Sequence, residues 1–219
     1  QRQMCIRDSA YTIVISETAA TASDLNAINV LTTATVDLTN VTSVTSSALS
    51  DLDTLATSIN ASPAQFINAT NLETSAVSDS EIDITSSEET IDSLDAIDAD
   101  SIGMTMASGA TINVDASEVT AMLADEGAGR FTIGDQNITV TGEISVGTAN
   151  SLDATTTGTI TASIATTETV DRLKTLTGTN AYMITIATSD ATAATASDLT
   201  TINAKTSLAV SLTNVTALA

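Results

Sequence analysis

Carboxylates at helical spacing are the residues of this chain best suited to chemistry. Asp92, Asp95 and Asp98 recur every third residue, and Asp100 follows them closely. Their oxygens could bind Ca²⁺, or a pair of them could act as the acid and base of a glycosidase. The simpler interpretation is the solvated face of one helix. The apolar face of that helix would carry Ile91, Leu94 and Ile97.

The spacing after Asp98 does not match a dedicated calcium loop. Asp98–Gly103 has carboxylates at loop positions 1 and 3 and a glycine at position 6, but Gly109 occupies position 12, where a bidentate Glu is required. A second acidic run is formed by Asp79, Glu81 and Asp83. We therefore predict no cofactor beyond a weak Ca²⁺ site, for which the candidate ligands are Asp92, Asp95, Asp98 and Asp100.

Nucleophilic catalysis needs a base beside the hydroxyl or thiol, and few bases are present. The chain has no His, which excludes a Ser-His-Asp triad. A Ser-Lys pair would have to use Lys174 or Lys205. Lys174 lies three residues after Asp171, so a surface ion pair is the simpler expectation. We predict that the chain is not an enzyme.

The charge of the chain restricts its partners. It has 27 acidic and 6 basic residues, a net charge of −21. Nucleic acids and anionic membrane surfaces both require Lys and Arg, so we expect neither as a partner. No apolar stretch approaches the 18 or so residues that would insert into a membrane. Cys5 is the only cysteine, so no disulfide framework exists.

The chain contains an internal repeat, which predicts the secondary structure around the candidate residues. The string TAATASDL occurs at residues 18–25 and again at 192–199, and the register continues through 29–42 and 203–216. Upstream, YTIVIS at Tyr11 is echoed by YMITIA at Tyr182. The alternation of Tyr11, Ile13 and Ile15 predicts a strand. Thr21, with Asp24 three residues later, predicts the start of a short helix.

The same strand-then-helix pattern recurs, less clearly, through the middle of the chain. Ser47 and Thr167 precede apolar runs as Thr21 does, and Pro63 suits the first turn of a helix. The mean spacing of the helical anchors is about 25 residues, in the range of repeats built from one strand and one short helix. Those anchors are Leu25, Leu52, Phe66, Leu94, Val119, Leu152, Val170 and Leu199.

This pattern predicts an α/β repeat solenoid with parallel strands and a short helix or turn in each repeat of about 25 residues. A mostly-β solenoid, the parallel β-helix, is the alternative. Residues 1–8 (QRQMCIRD) share no repeat pattern and resemble a translated adapter, so we interpret them as a non-native leader. We expect residues 9–219 to form one continuous repeat array, as a fragment of a longer protein.

The strings TASDLNAINVLTTATVDLTNVT and TASDLTTINAKTSLAVSLTNVT resemble the repeats of very long bacterial surface and secreted proteins, the adhesin-like "β-strand repeat" chains. The resemblance implies a non-enzymatic, structural or adhesive segment at the cell surface. It implies neighbouring repeats of the parent chain as partners, with a surface glycan or protein as a further candidate. A Ca²⁺-dependent binding module and a carbohydrate-active β-helix enzyme remain as alternatives.

Overall fold

A computed structural model describes residues 10–84, 103–186 and 194–212. Within these residues the chain is an α/β fold with six α-helices, one short 3-10 helix (Ala69–Asn71) and three parallel sheets. The strands are β1 Ile13–Val14, β2 Ala19–Ala20, β3 Val36–Asp37, β4 Ser43–Ser47, β5 Phe66–Ile67, β6 Thr74–Val77, β7 Glu81–Asp83, β8 Gly103–Met106, β9 Thr111–Asp115, β10 Phe131–Thr132, β11 Asn137–Ile144, β12 Ile160–Ile164 and β13 Ala181–Met183. The helices are α1 Ala22–Asn29, α2 Leu49–Asn60, α3 Val119–Gly127, α4 Val146–Thr155, α5 Val170–Leu173 and α6 Ala196–Asn203.

The chain divides into two compact units. The first comprises Gln1–Ser80, Thr85–Ala107 and Ala124–Thr132, and the second comprises Glu81–Ile84, Ser108–Leu123 and Ile133–Ala219. In the first unit, one sheet has the order β1-β3-β5 and the other the order β10-β8-β6-β4-β2. Residues that point inward on neighbouring strands are paired in register, and their side chains form columns in the core of the unit. One such column is Ala20, Val44, Ser75, Met104 and Phe131.

The second unit is built on one sheet of order β13-β12-β11-β9-β7. Four isoleucines align across neighbouring strands and are buried, so they form a continuous apolar column. Stacked β-branched side chains fill a pleated interior without the volume of aromatic rings. The four isoleucines are Ile82, Ile112, Ile138 and Ile160.

Strand pairing confirms parallel strands recurring at the predicted scale. The sequence offset between paired residues runs from 20, for Thr161 with Ala181, to 31, for Ser43 with Thr74. Parallel strands need a crossover between them, and short helices occupy several of these crossovers. The longest helix in the described residues is α2, with 12 residues. None of the described helices is long and apolar enough to cross a bilayer.

The predicted helix starts are confirmed where a hydroxyl caps the helix. The Thr21 side chain accepts a hydrogen bond from the Asp24 amide at 3.1 Å, and Thr195 accepts one from Asp198 at the same distance. Ser145 and Thr169, which were not predicted as caps, cap α4 and α5 in the same way. Such caps satisfy amides that have no partner within the helix.

Four sequence predictions are wrong. Thr167 does not cap α5, because the N-cap of that helix is Thr169. Phe66, taken as a helical anchor, lies in β5, where it is buried against β3. Pro63 lies in a bend after α2 has ended at Asn60, rather than in a first helical turn. Ser47 does not cap α2, because the N-cap is Ala48, which has no side-chain acceptor. For Phe66 the pairing with Val36 of the neighbouring repeat determines the conformation.

Two glycines permit the stacking of the second unit. Gly158 passes the preceding turn so closely that an added Cβ would lie 2.2 Å from the carbonyl oxygen of Gln136. Gly142 has φ +100 in β11, between Thr139 and Glu143, where the pairing with β12 shifts register. Other residues rarely adopt that backbone conformation, so the irregularity depends on glycine.

Candidate functional site

The strongest candidate ligands from the sequence, Asp92, Asp95, Asp98 and Asp100, lie outside the described residues. The glycosidase interpretation used the same carboxylates and lies there too. Among the residues that are described, no three Cys, Asp or Glu side chains converge as a metal site would require. The Ca²⁺ hypothesis therefore stays a prediction about residues 92–100.

The second acidic run has structural contacts within each unit. Asp79 accepts a hydrogen bond from the amide of Leu49 at 2.6 Å, which is the first amide of α2. Glu81 accepts one from the side-chain amide of Asn113, on the paired strand β9, at 2.8 Å. Carboxylates occupied in this way have fewer lone pairs available for a cation.

Lys174 is held by two carboxylates. Its Nζ lies 2.8 Å from Asp171 Oδ1, which is the predicted pair, and 2.8 Å from Asp198 Oδ1. The hydrogen bonds that Lys174 donates to Asp171 and Asp198 raise the pKa of Lys174. A lysine that acts as a general base needs a lowered pKa, so this environment works against a Ser-Lys mechanism.

The most consistent polar feature is a set of helix caps supplied by a later part of the chain. Ser47 Oγ accepts from the amide of Ala22, the first residue of α1, at 2.8 Å across 25 residues. Glu168 Oε1 accepts from the amide of Val146, the first residue of α4, at 2.9 Å across 22 residues. Asp79 caps α2 across 30 residues. We call these three contacts the inter-repeat caps.

Two of the inter-repeat caps have equivalent positions in their repeats. Ser47 and Glu168 each directly precede the N-cap residue of the next helix, Ala48 and Thr169. Glu168 is buried and also binds Arg172 Nε at 2.7 Å. A buried carboxylate must be paired to offset its desolvation, and here an amide and a guanidinium share that task. Each of these helices thus depends on the repeat that follows it.

Asparagine side chains add a second set of links between repeats. Asn40 donates to the carbonyl of Ile15 at 2.9 Å, and Asn150 both donates to Thr175 O at 3.0 Å and accepts from Thr177 N at 2.9 Å. Asn180 accepts from the amide of Ile160 at 3.0 Å. The side chain of Asn29 donates to Gln65. The bonds of Asn29 and Asn40 therefore connect successive repeats.

One aromatic residue is enclosed among these links. Tyr182 is fully buried, and its hydroxyl lies 3.4 Å from the carbonyl of Ala149 in α4 and 3.3 Å from Asn180 Nδ2. Burial raises the pKa of Tyr182 to about 12. A phenol with so high a pKa stays neutral near pH 7 and acts as a packing and hydrogen-bonding group.

Comparison with protein-family models, with curated proteins and with solved structures returned no match. The function must therefore be argued from the chain's own geometry. In the described residues, that geometry connects successive repeats through strand pairing, inter-repeat caps and asparagine links.

Proposed function

We propose that this chain is a non-enzymatic structural or adhesive repeat segment of a large extracellular bacterial protein, folded as an α/β solenoid. The observation that carries the proposal is that side-chain hydrogen bonds, like the pairing of parallel strands, connect positions about one repeat apart. Hydrogen bonds across 22, 25 and 30 residues reach the first amide of three helices. Sequence resemblance to adhesin-like repeats supports the extracellular setting.

Stability in such an array comes mainly from contacts between nearest neighbours. Helices of 8 to 12 residues, such as α1 and α2, are marginal alone and need a packed neighbour. Acidic charge keeps the surface solvated, since a net charge of −21 opposes nonspecific aggregation. A segment of this kind is stabilised by its own repeats, and each repeat presents a similar surface to a partner.

Hydrogen exchange of Leu152→Ala tests the solenoid. Leu152 is fully buried in α4, so its truncation should cost about 2–5 kcal/mol. We expect faster exchange in α4 and in the adjoining strands β11 and β12, with β7 nearly unchanged. Ser151→Ala, at an exposed position of the same helix, is the control. Uniform loss of protection across the second unit would indicate one shared core and contradict the solenoid.

The coding sequence that flanks this segment tests the setting. We expect further copies of the TASDL unit and an export signal; a flanking cytoplasmic enzyme without such copies would refute the extracellular proposal. Thermal unfolding with Ca²⁺ and with chelator separates the alternative. A melting temperature that rises at millimolar Ca²⁺ would favour the Ca²⁺-dependent module over a purely structural segment.

A further inference from the structure

Charge is distributed unevenly along this chain. Of its 27 acidic residues, 20 lie in residues 8–129, where Lys and Arg are absent. The other seven lie in residues 130–219, together with four of the six basic residues. The net charge is therefore −20 for residues 8–129, which we call the acidic region, and −3 for residues 130–219, which we call the mixed region.

In the mixed region, basic side chains lie directly against carboxylates. Arg172 Nε lies 2.7 Å from Glu168 Oε2. Lys174 Nζ lies 2.8 Å from an oxygen of Asp171 and 2.8 Å from an oxygen of Asp198. These carboxylates therefore have a cation from their own region beside them, which cancels much of the repulsion that they would exert on neighbouring repeats.

In the acidic region, carboxylates bind neutral donors instead. Asp37 accepts a hydrogen bond from the side-chain amide of Asn68 at 2.9 Å, and Asp79 accepts one from the first amide of α2 at 2.6 Å. Such a donor satisfies a lone pair but leaves the full negative charge in place. Asp125 reaches a cation that belongs to the mixed region, because Arg130 Nη1 lies 3.5 Å from Asp125 Oδ1.

Strand pairing brings the charges of successive repeats close together. Adjacent strands are about 4.8 Å apart. At about 0.01 M salt the Debye length is about 30 Å, so the carboxylates of several repeats repel one another. Of the acidic residues that the structure describes in this region, all except Asp125 are at least partly exposed. Dissolved cations can therefore reach them and screen this repulsion.

We propose that ionic strength regulates the stability of the acidic region, whose repeats pack more tightly as salt is added, while the mixed region is stable without added salt. Folding gathers a net charge of −20 into packed repeats, and self-repulsion of this kind destabilises a compact state. The internal cations of the mixed region supply what dissolved cations must supply in the acidic region. The inference goes beyond the proposed function and does not depend on it.

Native-state hydrogen exchange of the whole chain at low and high NaCl tests the proposal. Helix α2 and strand β4 report on the acidic region, and α4 and β12 report on the mixed region as an internal control. Between about 0.01 M and about 1 M salt the Debye length falls to about 3 Å, so protection factors in α2 and β4 should rise at least about tenfold, and those in α4 and β12 less than about threefold. An equal rise in both regions would overturn the proposal, as would no rise in α2 and β4.

A lysine introduced into each region separates charge from the other effects of salt. Thr57 is exposed on α2, and Ser151 is exposed on α4. Thr57→Lys should protect α2 at low salt better than Thr57→Gln, which has a similar helix propensity without the charge. The difference should disappear at about 1 M NaCl. Ser151→Lys and Ser151→Gln should protect α4 equally at both salt concentrations. Equal protection of α2 by Thr57→Lys and Thr57→Gln at low salt would contradict the proposal.

Comparison of CaCl₂ with MgCl₂ at equal concentration distinguishes screening from a specific site. The two cations have the same charge, so screening should protect α2 and β4 equally in both. A carboxylate site of flexible geometry prefers Ca²⁺ to Mg²⁺. Protection that rises in Ca²⁺ and not in Mg²⁺ would overturn the proposal in favour of a Ca²⁺ site. None of these outcomes bears on the flanking coding sequence, so failure here leaves the proposed function standing.

Discussion

Two regions of the chain, residues 11–38 (segment 1) and the described part of residues 182–212 (segment 2), share the string TAATASDL or its last residues, a threonine helix cap and one hydrogen bond from a threonine hydroxyl to a tyrosine carbonyl, yet they bury different residues. Leu38 is fully buried and Tyr11 is exposed in segment 1, whereas Tyr182 is fully buried and Leu212 is exposed in segment 2. Local conformation therefore follows the local sequence, and burial follows the neighbouring repeat. The comparison separates these two causes within one molecule, because both segments have an eight-residue helix with a threonine cap.

Truncation of the equivalent tyrosines should give the largest difference in stability between the two segments. Tyr182→Ala removes a fully buried ring and should cost about 3–5 kcal/mol, whereas Tyr11→Ala should cost well under about 1 kcal/mol. Denaturant unfolding followed by circular dichroism measures both.

The equivalent leucines serve as the mirror-image control for this prediction. Leu38→Ala should be costly and Leu212→Ala mild, which reverses the order of the segments. Equal costs at equivalent positions would contradict the conclusion that neighbouring repeats determine burial.

Removal of the helix cap should destabilise the helix by the same amount in both segments. Thr21 and Thr195 each accept an amide hydrogen bond at 3.1 Å within their own helix. Thr21→Ala and Thr195→Ala should each cost about 1 kcal/mol, since capping is local. Hydrogen exchange of the helix amides measures both, with Thr→Ser as the control that keeps the hydroxyl. A cap that matters in one segment only would show that the cap depends on the neighbouring repeat.

The smallest expected effect concerns the charge contact of segment 2. The hydrogen bond from Lys174 lowers the pKa of Asp198 from 3.8 to about 2. A lowered folded-state pKa contributes stability that is present above about 3.8 and is lost as the pH falls through about 2. Lys174→Met should raise the pKa of Asp198 toward 3.8, as measured by carboxyl NMR titration.

Lys205→Met also removes one positive charge from the chain and is the matched control. It should leave the pKa of Asp198 near 2, because Asp198 is hydrogen-bonded to Lys174 and to Thr195. An equal shift in both variants would show that net charge, and not the specific contact, lowers the pKa.

The elements that the sequence predicted well are those with a local cause. The alternation around Ile13 gave a strand, and Thr21 with Asp24 gave a cap. Leu152 lies among Gly, Ser and Thr residues, which are poor helix formers. It nevertheless lies in the ten-residue helix α4, where the Ser145 cap and burial of Leu152 outweigh that weak propensity.

The errors and omissions share a cause that is not local. Phe66 follows an apolar spacing that suits a helix, but its pairing with Val36 on β3 makes it a strand residue. Ser47 looks like a cap for α2, yet its hydroxyl serves α1. Glu168 was not recognised at all, because its partner amide is 22 residues away and no local pattern marks that distance.

The sequence by itself determined the repetition, the alternation of strands with short helices, and the helix caps at Thr21 and Thr195. These depend on backbone preference and on hydrogen bonds that span three residues, so the local string contains their cause. Only the tertiary structure decided which side of each repeat is buried and which carboxylate caps which helix. Those outcomes arise where chain segments 20 to 31 residues apart are brought together by strand pairing, and identical residues have different surroundings according to what packs against them.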